Sequence, residues 1–317
     1  MKITLRATAS FLFTSAVLTA SYAGRAEDNR SDALEDIKVV RIGTYYGEDS
    51  SYALQLNFDL PLTDATRLNV GGAYIRATGD LENIDSYQAN LDVEHRIGNW
   101  GFALGGIYRN DDTIITTAGV RGRAYYSTDQ LNAGVRLGRS RIEASYDLGT
   151  ILSRYVDGTQ SDYSTEYGGD LRYSFGVIAL YASGVDYEYD EPLSSLAPRR
   201  NGVPIPVNGN QIGDIQDRLA RLRARLGTVN FAALRIATNL LDYSLVVGGD
   251  YQIGEQVINV ELARQRVAID AVDIDSIDVG WTIPCWETAD LELRVGSAKV
   301  HGSDSLFYGG LNFTLYR

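Results

Sequence analysis

An all-β fold, a closed antiparallel transmembrane β-barrel of about 16 strands with 14 to 18 as bounds, is the fold class this sequence predicts. Three observations predict it. Apolar and polar residues alternate in segments about ten residues long from Asp36 to Arg317, as where Leu131, Ala133, Val135 and Leu137 interleave with Asn132, Gly134 and Arg136. Tyr (21) and Gly (32) are abundant while Pro (6), Cys (1) and Met (1) are scarce, a bias towards long strands with aromatic girdles. No later stretch approaches the eighteen or so consecutive apolar residues of a membrane helix.

The elements follow in order. Lys2 and Arg6 precede an apolar stretch from Ala9 to Ala23 that is too short to span a bilayer, followed by small residues. Residues 1–26 therefore read as a secretory signal peptide, with cleavage after Ala23 or Ala26. Residues 27–36 form a short periplasmic lead-in, and 37–317 a single barrel domain. Export without a helical anchor leaves a soluble protein outside the inner membrane or a closed barrel.

Strands 37–46 and 51–60 form a hairpin around Gly47-Glu48-Asp49-Ser50, with Tyr52, Leu54, Leu56, Phe58 and Leu60 on the lipid face of the second. Strands 67–78 and 84–97 repeat the pattern; in the latter Gln88, Asn90, Asp92 and Glu94 oppose Tyr87, Ala89, Leu91 and Val93. A strand starting at Trp100 follows the tight turn Gly98-Asn99. Segment 113–126 reads as part of a long outer loop spanning 109–130 and opened by Asp111-Asp112, with a strand at 131–137 after it. Gly138-Arg139-Ser140 then reads as a short inner turn, before strands 141–154, 163–175, 177–189, 214–226 and 230–238. Between them, 190–213 holds four of the six prolines and reads as a surface loop. The last third gives strands 242–253, 256–268, 273–283, 289–301 and 305–317. Tyr45, Tyr46, Tyr74, Tyr108, Tyr146, Tyr181 and Trp281 fit interfacial belts.

Composition excludes several function classes. A 44% hydrophobic content rules out wholesale disorder, and a net charge of −12 with no basic stripe argues against nucleic acid as partner. The lone Cys285 allows neither an intrachain disulfide nor a cysteine metal cluster. His95 and His301, the only histidine bases, fall on outward faces. Asp270, Asp273, Asp275 and Asp278 form an acidic run without the glycine and terminal glutamate of an EF-hand loop, and read as an exposed outer loop. No cofactor, metal or catalytic site is expected.

The last strand carries the most specific local signal. Phe307, Leu311, Phe313 and Leu315 share one face, Tyr308, Asn312, Thr314 and Tyr316 the other. This resembles the assembly signal ending bacterial outer-membrane barrels, except that Arg317 stands where the last residue is usually aromatic. With the signal peptide, strand length and strand count, the mature chain resembles the bacterial outer-membrane porins of Gram-negative cells. The resemblance implies a water-filled channel for passive diffusion of small hydrophilic solutes and ions. The partners it implies are the lipid bilayer, lipopolysaccharide and the barrel assembly machinery, with a homotrimer as a further expectation. An outer-membrane enzyme and a plugged structural or adhesion barrel remain the alternatives.

For the pore, Arg221, Arg223 and Arg225 share one strand face and would line one wall of the lumen. Spaced about 6 to 7 Å apart, they need acidic neighbours or water. Porins narrow their pore with the third outer loop, setting acidic groups against a basic ladder; the resemblance gives that role to Asp111 and Asp112. Glu94, Arg109 and Arg136 complete the expected constriction, with Glu143, Asp170, Arg172, Arg235, Asp250, Glu261, Glu292 and Arg294 as further inward candidates. Both signs together suggest a general channel, with a cation bias from the net negative charge. Glu48, Asp49, Asp80, Glu82, Asp157 and Asp162 read as acidic loop residues suited to divalent ions bridging lipopolysaccharide phosphates.

Overall fold

The computed structural model describes residues 38–48, 50–77, 84–111, 115–145, 159–191, 199–200, 203–204, 240–268, 272–301 and 305–317. Fourteen strands form one closed sheet: β1 (Val39–Gly47), β2 (Tyr52–Thr63), β3 (Thr66–Ala77), β4 (Ile84–Ile97), β5 (Trp100–Asp111), β6 (Ile115–Ser127), β7 (Leu131–Ser145), β8 (Thr159–Phe175), β9 (Ile178–Tyr189), β10 (Leu241–Ile253), β11 (Gln256–Val267), β12 (Val272–Trp286), β13 (Ala289–Val300) and β14 (Ser305–Tyr316). Each pairs antiparallel with its chain neighbours, and β1 pairs with β14 to close the ring. Outside this sheet, Arg199–Arg200 pairs with Val203–Pro204.

Closure matters because a sheet edge in hydrocarbon would leave backbone N–H and C=O groups without partners. Lys38 and Arg317 complete the seam by exchanging backbone hydrogen bonds of 2.7 and 2.9 Å. That end of the barrel also carries the short turns. Gly98, Gly176 and Gly254 take left-handed φ values of 58°, 65° and 61° there, a conformation that costs glycine nothing. Fourteen strands about 4.8 Å apart and tilted about 40° give a backbone diameter of roughly 27 Å.

Burial is inverted relative to a soluble protein. On β4, Tyr87, Leu91 and Val93 are exposed while Gln88 and Glu94 are buried. Leu104 and Val135, at 70% and 64% exposure, belong to an apolar exterior reaching every part of the wall. Such a surface would aggregate in water and is satisfied by hydrocarbon. No helix among the described residues is long and apolar enough to cross a membrane.

Four sequence expectations are corrected. Residues 115–127 form strand β6, paired along its length with β5 and β7, so 109–130 contains no long loop. Residues 138–140 lie inside the continuous β7 and not in a turn. Along β6 the small residues Ala118, Gly119 and Gly122 weaken the alternation; for β7 the reason is strand length, since at about 3.3 Å per residue β7 and its partner β8 outrun the roughly 25 Å apolar band. Beyond it, Arg139, Arg141 and Glu143 face outward into water while Ile142 and Ala144 are buried inside, so the polar-in, apolar-out alternation reverses along β7. Glu143 is accordingly an outer-face residue, paired with Arg141 at 3.2 Å. Asp162 lies buried on β8 and not in a loop.

Fourteen lies within the expected range of strands. The expected strands at 214–226 and 230–238 lie outside the described residues, and the barrel closes through direct β9–β10 pairing. The inner face is also not polar throughout. Towards the long-loop end Ile75, Ile115, Ile142, Val246, Ile274 and Leu306 are buried on it, and Leu240 packs against Ile115, Ile142, Ala144 and Tyr189.

Candidate functional site

The chemistry of this chain is concentrated on the inner wall of the barrel. Its organising device is a glycine on one strand bridged by side chains from the strands on either side. Asp92 of β4 lies over Gly105 of β5 and takes a bidentate pair from Arg121 of β6, at 3.0 and 2.6 Å. Arg123 of β6 crosses Gly134 of β7 to reach Asp170 of β8, at 3.2 and 2.7 Å. In each case a Cβ on the glycine would fall against the bridging groups.

Tyrosines repeat the device. Tyr125 lies over Gly101, Tyr181 over Gly248, Tyr308 over Gly296 and Tyr45 over Gly310, each directly opposite its glycine in register. Each hydroxyl then reaches a polar group beyond: Tyr125 donates to Glu94, Tyr181 to Glu261 at 3.0 Å, Tyr308 to Asp278 at 3.0 Å, and Tyr45 to Asn312 at 3.1 Å. Tyr45 and Tyr181 are therefore inner-wall residues and not belt residues, whereas Tyr46, Tyr108 and Trp281 are exposed outside; Tyr146 lies outside the described residues. A phenol ring held flat on a glycine covers backbone without projecting into the lumen. The abundance of both residue types follows from this as much as from any girdle.

Charge is unevenly spread around the ring, with arginines most numerous on β5 to β8, flanked by the acidic Asp92 and Glu94 of β4, and carboxylates in excess on β10 to β13. The inner faces of β5 to β8 carry Arg109, Arg121, Arg123, Arg136 and Arg172 with Asp162, Glu166 and Asp170. Those of β10 to β13 carry Asp250, Glu261, Asp278, Asp290 and Glu292 with Arg294. In a fourteen-strand ring β6 and β13 are diametrically opposite. The acidic wall is tied together by Arg294, 3.1 Å from Asp278 and 2.7 Å from Glu292, and by Asn312 donating to Glu292 at 2.8 Å. Arg172 spans from the basic side to Asp250 at 2.7 Å.

Of the residues singled out from sequence, Glu94, Arg109 and Arg136 stand on the inner wall, Arg136 lying over Gly168. Asp111 ends β5, while Asp112, Arg221, Arg223, Arg225 and Arg235 lie outside the described residues. Sequence reasoning missed Arg121 and Arg123 because it assigned them to a loop. Their two-residue spacing and the small residues beside them, Gly119 and Gly122, were the available signal. Of the acidic run, Asp273 and Asp275 pair with Arg266 and Arg264 near the long-loop rim, and Asp278 is fully buried inside. His95 is exposed and shares a 2.9 Å hydrogen bond with Thr66. Among the described residues no group of His, Cys, Asp or Glu side chains is placed to hold a metal ion.

No family model matches this chain, and no curated protein sequence does. Solved structures share its architecture. The monoaromatic hydrocarbon channel CymD superposes with a TM-score of 0.52 at 10% identity, over 90% of this chain and 89% of that one. OprB of Pseudomonas putida gives 0.45 at 10% identity over 94% and 97%, and an anion-selective porin from Comamonas acidovorans 0.43 at 9% over 89% and 98%. At such identities the likeness is one of fold alone: a closed antiparallel β-barrel.

Proposed function

We propose that this protein is an outer-membrane channel through which small hydrophilic solutes and ions diffuse passively. The observation that carries the reading is the inner wall, where an arginine-rich face on β5 to β8 and an acidic face on β10 to β13 share the circumference, with β6 across the lumen from β13. Both are held flat by bridges over glycine. A barrel roughly 27 Å across at the backbone, with its long side chains laid along the wall, leaves room for water. Opposed charges across that space set up a transverse field that favours polar and ionic solutes over apolar ones. Arg109, Arg136 and Glu94 line the passage in this reading, with Arg121, Arg123 and Asp170 beside them.

Bilayer lipid outside, lipopolysaccharide at the long-loop rim and the barrel assembly machinery are the partners this function requires. The planar-bilayer test is direct. Purified, refolded protein gives stable open-channel steps in KCl; a folded barrel that stays silent under voltage overturns the proposal.

A further inference from the structure

The acidic wall holds an unusual excess of acceptors. Four neighbouring oxygens there are buried and accept no aligned hydrogen bond: Asn259 Oδ1, Glu261 Oε1, and the ion-paired Asp250 Oδ2 and Asp278 Oδ1. Asn259 faces Asp250 in register, Glu261 faces Asp278, and Asn259 and Glu261 are two residues apart on β11, so the four form one patch. Asp250 Oδ2 and Asp278 Oδ1 lie 2.7 and 3.1 Å from the guanidinium groups of Arg172 and Arg294, without an aligned N–H. Glu261, 2% exposed, uses only its second oxygen, which accepts from Tyr181 at 3.0 Å. Asn259 gives its amide N–H groups to Asp250 and Tyr181 at 2.7 and 2.8 Å and leaves its carbonyl oxygen unused.

Charge runs the same way. Among the described residues, Asp250, Asp278 and Glu292 are ion-paired to Arg172 and Arg294, so that with Glu261 four carboxylates stand beside two cations. Unpaired acceptors and surplus carboxylates in a buried site are costly, and both costs are relieved by a ligand that brings positive charge and N–H donors together. A bare metal ion does not fit, since the carboxylates do not converge on a point. The patch extends about 10 Å across strands and about 7 Å along them, which suits donors that fan out. A guanidinium presents five such donors and is weakly hydrated.

We infer that this patch is a binding station for solutes bearing a guanidinium or alkylammonium group. The inference rests on the channel reading above and names a solute class for its acidic wall. The test is calorimetric titration of agmatine into the refolded full-length chain at neutral pH, against KCl of equal ionic strength. Saturable one-site binding is expected. Glu261→Gln, which keeps shape and removes charge, weakens it at least tenfold, and Asn259→Asp, which adds a carboxylate, tightens it several-fold. Arg136→Gln on the opposite wall leaves affinity within twofold. Absence of saturable binding by the unmodified protein, or equal affinity in the Glu261 and Asn259 variants, overturns the station. Conductance in KCl on the same preparation separates the two readings: open steps without agmatine binding refute only the station, and binding by a silent barrel refutes only the channel.

Discussion

Gly296→Ala isolates the device on which the inner wall depends. A Cβ there would coincide with the Tyr308 ring and hydroxyl, so the ring must leave the wall. Its 3.0 Å hydrogen bond to Asp278, a carboxylate with 0% exposure, is lost with it. A hydrogen bond to a charged group contributes about 1.5 to 3 kcal/mol, and the smaller unfolded-state entropy of alanine offsets about 0.4 to 1 of that. The net destabilisation is about 1.5 kcal/mol, read as a shift in the urea midpoint of the barrel refolded into lipid vesicles. Gly106→Ala is the matched control. Nothing approaches a Cβ there closer than 3.6 Å, so its stability stays within about 0.5 kcal/mol of the parent. On a Tyr308→Ala background the Gly296 substitution should stabilise slightly, by the same about 0.4 to 1 kcal/mol, giving a coupling energy of about 2 kcal/mol. Gly296→Ala behaving like Gly106→Ala, or costing the same with and without Tyr308, refutes the reasoning.

Two further perturbations probe the two faces of the wall. Leu104→Arg places a charge on the outer face at a residue 70% exposed; in lipid it destabilises by about 2 to 4 kcal/mol near the midplane, whereas an exposed leucine in water would tolerate it within about 0.5. Urea titration in vesicles decides, and a change under that smaller figure contradicts a lipid-facing exterior. Arg136→Gln removes a lumen cation, so the reversal potential in a KCl gradient moves towards potassium selectivity; an unmoved potential takes Arg136 out of the ion path.

The alternation of β4 is legible because Gln88, Asn90, Asp92 and Glu94 turn to the polar inner wall while Tyr87, Leu91 and Val93 turn outward to lipid, two surroundings of opposite preference. The same argument explains where reading failed. Above the hydrocarbon the outer face is aqueous and the inner face carries Ile142 and Ala144, so Arg139, Arg141 and Glu143 invert the polarity of the pattern and β7 looks interrupted. Along β6 the small residues Ala118, Gly119 and Gly122 blur the pattern from the other side. Tyr45 and Tyr181 were placed on belts because tyrosine suits either face; only the register setting them over Gly310 and Gly248 decides, and register is a long-range property absent from the local sequence. The uneven spread of charge was hidden for the same reason. Arg121 and Arg123 meet Asp92 and Asp170 only once β4, β6 and β8 are spaced by the glycines between them.

The measurement bearing most directly on the account is single-channel recording of the refolded protein in a planar bilayer of neutral lipid. Side chains held along the wall predict discrete, long-lived open steps in KCl that persist at low voltage. A barrel shown to be folded, yet electrically silent across the voltage range, would mean that the opposed walls meet across the lumen and that the channel account is wrong.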